Sequence, residues 1–275
     1  MKLSIGLLAA AVVAIVGGTL FGLAQRADET QEPGAARKKV LFFSPSFGFR
    51  HEVVTRKLTG ELSFGENLLK EFAGKAGYDV DVSQDFNDLG DAGAYKRYAA
   101  VIFYTTGNPP IDRDGLLKYV RDGGALIGIH TATDTFHSPG RCGDAWPDYV
   151  HMIGGSFKDH GPKHDQVVVK VEDPASPITK MLKDGWKIGD EIYLFNNFSR
   201  DNVHVLLSVN TEKTDEKSLK GHVMERGKDY PISWTRTEGK GRVFYTSLGH
   251  DKEVWQNPLW QKHLLAGMAW AIEKK

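Results

Sequence analysis

The chain has 275 residues, with 35 Lys+Arg balanced by 35 Asp+Glu, 41% hydrophobic residues, 30 Gly and one Cys. Zero net charge denies it the clustered basic footprint that nucleic acid or an anionic membrane surface requires, so no nucleic-acid partner is expected and small neutral ligands are favoured. The lone Cys142 excludes an internal disulfide, and a chain of this length buries enough surface to fold without a metal.

Residues 3–24 carry no charge, follow Lys2 and precede Arg26. The basic start, the apolar stretch 5–16 and the small residues Gly22 and Ala24 read as a secretory signal cleaved after Ala24. The run is also long enough to remain as a membrane anchor. A buried core helix is the third reading, disfavoured because a polar, aperiodic linker containing Pro33 and Gly34 follows over 25–37. Both favoured readings place the protein outside the cytoplasm, periplasmic or otherwise exported, with membrane contact only through this segment if it is retained. One domain is expected over 38–275.

Residues 38–45 form an apolar run bounded by lysines and Pro45, the pattern of a strand buried on both faces. Leu58, Leu62, Leu68, Leu69 and Phe72 then recur at helical spacings, which predicts a helix over 52–76 ended by Gly77. Strands are expected at 78–82, 99–104 and 125–129, with a helix at 116–121 before Gly123-Gly124. A long loop follows over 134–165. Beyond it, 166–171, 203–209, 232–236 and 241–246 read as strands and 258–272 as the closing helix. Strands alternating with helices specify an α/β fold, a doubly wound, mostly parallel sheet with helices on both faces in three flavodoxin-like layers, with extra strands in the second half.

Ligands of open α/β sheets bind at the carboxyl ends of the strands. By that rule His51, His130 and His250, each following a predicted strand, converge on one edge. His151, His160 and His164 lie in the long loop, and such loops often close over binding sites. Their spacing matches no short metal motif, although imidazoles beside a carboxylate suit Zn²⁺ or a similar ion. Asp190-Glu191 offers two carboxylates for acid-base work or metal ligation. Asp251 either orients His250 or caps the segment leading to Trp255. The nearby aromatics, Trp146 and Tyr193 among them, suit a sugar ring, whose C–H face packs on an aromatic while its hydroxyls demand hydrogen bonds.

Five ordered stretches together resemble the ThuA-like (trehalose utilisation) family, whose fold is that of the class I glutamine amidotransferases. They are the loop from Ser44 to Glu52, Gly128-Ile-His130-Thr-Ala-Thr-Asp134, Gly154-Gly-Ser-Phe-x-x-His160, Asp190-Glu191-Ile-Tyr193 and the segment from Gly239 to Asp251. One departure is informative. Where an amidotransferase carries a nucleophilic Cys at the turn after a central strand, this chain has His130, and Cys142 lies too far along to replace it, so thiol chemistry is not expected. The resemblance implies a carbohydrate substrate, a glycoside, disaccharide or 3-keto derivative. The candidate catalytic residues are His130, Glu191, His250 and Asp190. His51, Asp134, Trp146, Tyr193 and Asp251 are candidates for substrate binding, and His130, His160 and His250 for one divalent metal. A non-catalytic sugar-binding or accessory protein is the alternative, and oligomeric state is left open.

Overall fold

A computed structural model describes residues 36–139 and 144–273. The expected signal or anchor, most of the linker and Cys142 lie outside the described residues. In chain order the regular elements are β1 (Lys38–Phe43), α1 (Phe64–Lys75), β2 (Tyr78–Ser83), α2 (Ala92–Tyr95), β3 (Ala100–Phe103), α3 (Arg113–Arg121) and β4 (Ala125–Ile129). Next come α4 (Pro147–Ile153), β5 (Ser156–His160), β6 (Gln166–Val171), β7 (Lys187–Gly189), β8 (Tyr193–Asn196) and β9 (His204–Val209). The chain closes with α5 (Glu216–Gly221), β10 (Pro231–Glu238), β11 (Gly241–Thr246), α6 (Lys252–Gln256) and α7 (Pro258–Ile272).

Nine strands form one sheet in the order β2-β1-β3-β4-β11-β10-β9-β6-β7, while β5 and β8 make a separate antiparallel pair. The first five strands in that order are parallel, and from β10 outward every pairing is antiparallel. The α/β reading of the sequence therefore holds, and its extra strands in the second half extend the sheet as an antiparallel flank. The pleat divides the core. Val40 and Phe42 of β1 face one layer with α1, α6 and α7, while Leu41 and Phe43 face the other with α2, α3 and α4.

Two expectations differ from the structure. The predicted helix over 52–76 begins only at Phe64, preceded by a single 3-10 turn at Glu52–Val54, and Leu58 is fully exposed. The start is fixed by a capping box in which Ser63 Oγ accepts from the Glu66 N–H and the Glu66 carboxylate accepts from the Ser63 N–H. Arg56 also forks onto the buried Glu66 carboxylate, at 2.7 and 2.9 Å, so the preceding loop is tied to the helix start. Likewise, the loop expected over 134–165 contains α4 and β5. Pro147 at the first helical turn and Gly154 in the left-handed conformation at its end delimit α4.

The buried His263 on α7 offers a pH-dependent test of this packing. Its Nδ1 lies 2.9 Å from the Ile178 carbonyl and its Nε2 3.0 Å from Ser233 Oγ. Burial lowers its pKa from 6.5 to about 4, against the pull of the Ile178 carbonyl. The unfolded chain takes up this proton near pH 6.5 and the folded chain only near pH 4, so the contribution is complete above the first value and lost as pH falls towards the second. About 2 kcal/mol should vanish between pH 7 and 5. Urea unfolding at both pH values should show that extra loss in the wild type relative to His263→Asn, and equal losses would refute it.

Candidate active site

Four neighbouring parallel strands deliver their following residues to the same sheet edge. His51 follows β1, Tyr104 follows β3, His130 follows β4 and His250 follows β11, and these strands are consecutive neighbours in the sheet. Their rings interlock edge to face, with centroids 5.1 Å apart for His51 and His130, 4.9 Å for His51 and His250, and 5.2 Å for His130 and His250. Glu191 comes from elsewhere, on the segment leaving β7 at the far end of the sheet order. Ligand atoms of His51, His130, Glu191 and His250 all lie within 4.8 Å of one another.

His130 occupies the turn after β4 with φ 44°, a left-handed conformation that costs a non-glycine residue about 1–3 kcal/mol and persists only where the surroundings enforce it. Its carbonyl accepts from Tyr245 Oη at 2.8 Å, while its Nδ1 lies 2.6 Å from the Ser247 carbonyl. That contact requires Nδ1 to carry the proton, which leaves the Nε2 lone pair turned inward. Nε2 is 3.2 Å from His250 Nδ1 and 3.4 Å from Glu191 Oε2. Tyr193 covers the ring, its centroid 4.2 Å away. At 3% exposure Tyr193 is a wall of the site rather than an open platform.

The turn carrying His250 is held from beneath by Asp190. Its carboxylate accepts from the N–H groups of Gly249, His250 and Asp251, at 2.6, 3.1 and 3.0 Å. The Gly249 carbonyl in turn receives Tyr104 Oη and Trp255 Nε1. Gly249 itself has φ 134°, and a Cβ there would meet Ile129 at 2.9 Å, so only glycine fits between the two strands. Asp190, expected as a catalytic group, is thus a fully buried positioning residue. Burial pushes its pKa up to about 7 against the downward pull of the Gly249 and Asp251 N–H groups.

Electrostatics leaves three imidazoles around one carboxylate. Burial, reinforced by His130 and His250, drives His51 down to about 2, and burial also lowers His130. Both are neutral at ordinary pH. Burial alone would raise Glu191, but the imidazoles of His130 and His250 beside it outweigh that and hold it below the ordinary carboxylate range. His250 is raised because Glu191 outweighs the opposing effect of burial. Among the described residues, every ion-pair partner of Glu191 is a histidine: His130, His160, His164 and His250. Among the described residues, the buried His51 Nδ1 has no hydrogen-bond partner.

The remaining candidates divide. His160 Nδ1 approaches Glu191 Oε1 at 3.2 Å, on the more exposed side of the cluster. Asp251 begins α6 without capping it, and its carboxylate binds His164 Nδ1 at 2.8 Å while lying 3.9 Å from His250 Nε2. Asp134 pairs with His137 at 2.8 Å, and Phe157 separates His137 from Tyr193. Trp146 packs against Phe136 and Tyr149 in the core layer beside α3, so it offers no open ring to a ligand. His151 lies apart against Arg236 and Glu238. Tyr104 and the Ser247 carbonyl carried no signal as site groups, although Tyr104 ends a strand adjacent to the one preceding His51.

The fold and site define an α/β protein with a histidine-carboxylate centre at the carboxyl edge of its parallel strands. The family model described as trehalose utilisation, ThuA, matches residues 39–271, and the chain belongs to that family. A ThuA-like protein from Bacteroides uniformis is 23% identical, with 88% of this chain and 94% of that chain covered at a TM-score of 0.69. Another from Parabacteroides merdae is 20% identical, covering 86% and 90% at 0.63. These likenesses bear on the fold. No curated protein matches the chain. Membership of this family supports a carbohydrate-related role.

Removing the Asp190 carboxylate strands one buried and two partly buried N–H donors, a buried one costing about 1–3 kcal/mol. Asp190→Ala should therefore lose about 3 kcal/mol in urea unfolding. A loss below 1 kcal/mol would mean that the 249–251 turn holds itself.

Proposed function

We propose that this protein is an exported, divalent-metal-dependent enzyme acting on glycosides or disaccharides, or on their 3-keto derivatives. The observation that carries the proposal is the convergence of three imidazoles on Glu191 at a sheet edge where, among the described residues, no Lys or Arg pairs with it. Three imidazole nitrogens and one carboxylate match the preferences of Zn²⁺ and similar ions. The buried His51 Nδ1, without a hydrogen-bond partner among the described residues, is a second sign that these residues fit an ion.

His51, His130, Glu191 and His250 would hold it, and when bound it would supply Lewis-acid polarisation of a substrate oxygen. The chain's own groups do the rest. The Ser247 carbonyl fixes the tautomer of His130, Asp190 fixes the backbone of His250, and Tyr193 closes one side of the centre against water. Proton abstraction beside a 3-keto group needs a base with access to solvent. His160, 40% exposed and 3.2 Å from Glu191 Oε1, is placed to pass that proton between substrate and water.

The test is incubation of the purified protein with a glycoside and its 3-keto form. Product formation should fall at least 100-fold on chelation and in both His130→Ala and Glu191→Ala, a loss typical of removing acid-base groups. Full turnover by those variants would refute the assignment. Saturable sugar binding by the wild type with no product would favour the non-catalytic binding protein.

A further inference from the structure

Glu191 divides its two oxygens between different histidines. Oε2 lies 3.1 Å from His250 Nδ1 and 3.4 Å from His130 Nε2, on the buried side. Oε1 lies 3.8 Å from His164 Nε2, towards solvent. His250 is divided in the same sense. Its Nδ1 faces the buried centre, and its Nε2 faces the Asp251 carboxylate at 3.9 Å.

His164 and Asp251 complete a second set. Ligand atoms of His164, His250 and Asp251 lie within 4.8 Å of one another, and the rings of His164 and His250 meet edge to face at 4.8 Å. Both Asp251 oxygens reach His164 Nδ1, at 3.0 and 2.8 Å. A carboxylate that accepts a hydrogen bond from one imidazole N–H leaves the other nitrogen as a lone-pair donor, the arrangement that orients histidine towards a metal. Here that other nitrogen, Nε2, points towards Glu191 Oε1. Among the described residues Asp251, like Glu191, has no Lys or Arg in ion-pair contact. An ion in the buried centre would neutralise Glu191 but leave Asp251 on the outer side.

We propose that the centre is binuclear, with a second divalent cation held by His164 Nε2 and Glu191 Oε1, Asp251 orienting His164 through its Nδ1–H, and with Glu191 bridging the two ions. This rests on the metal-centre reading above and deepens it. Two adjacent cations grip two oxygens of one substrate at once. The ligand class is therefore a sugar presenting neighbouring oxygens, a vicinal diol or a ketone beside a hydroxyl, rather than an isolated alcohol. The outer ion is the exchangeable one, because His164 and Asp251 remain 35% and 27% exposed while His130 is fully buried.

The test is the zinc content of the full chain after loading with Zn²⁺ and removal of free ion, measured by elemental mass spectrometry. The expected result is two ions per wild-type chain and one in the variant combining His164→Ala with Asp251→Ala. One ion in the wild type overturns the second site and leaves the proposed function standing, whereas none overturns both. Two ions retained in the variant overturn the assignment to His164 and Asp251. Circular dichroism of the variant checks its fold. As an independent readout in the wild type, Co²⁺ absorption should saturate in two steps at two equivalents, and a single step at one equivalent would overturn the proposal.

Discussion

Glu191 is a carboxylate enclosed by histidines at the end of a sheet, with no guanidinium or ammonium among the described residues to meet its charge. An unbalanced buried carboxylate is costly, and the protein retains it by gathering imidazoles whose protons and lone pairs adapt to what is present. The other features of the site follow from that constraint. His51 and His130 are kept neutral by burial, so their nitrogens are free to donate electron pairs. The Ser247 carbonyl selects which nitrogen of His130 does so.

The strained turn at His130 shows how the scaffold has been put to use. A left-handed residue straight after a central strand lifts its side chain above the sheet edge, the same device that exposes the nucleophile in α/β-hydrolases. Here the lifted group is an imidazole. Tyr245 and Thr133 brace it through one hydrogen-bond network, Tyr245 reaching both the His130 carbonyl and Thr133 Oγ1. The rigidity of the turn comes from the parallel strands below, and its chemistry from the one side chain placed there.

Much of this was legible from residue order. The buried runs at 38–45, 99–104 and 125–129 announced central strands because a sheet covered on both faces has no polar side to display. Each of those strands also ended in a polar residue or loop where ligands bind. Leu58 and Leu62 fit helical spacing and so predict too early a start for α1, whereas the capping box of Ser63 and Glu66 is the stronger local signal. Trp146 was expected to face a sugar because aromatics accompany sugar sites. Its contact with Phe136 and Tyr149 is a packing choice that no local pattern encodes.

The sequence by itself determined the alternation of strands and helices and placed His51, His130 and His250 after strands, because hydrophobic period and turn chemistry are local properties. Only the tertiary structure decided that β1, β3, β4 and β11 lie side by side, since strand order depends on crossovers that span the whole chain. It also brought Asp190-Glu191 from the far end of the sheet to these histidines, separating two adjacent carboxylates into different tasks. Asp190 turns inward to hold backbone N–H groups, and Glu191 turns to the imidazoles. That separation rests on burial and on partners distant in sequence, for which the dipeptide itself carries no sign.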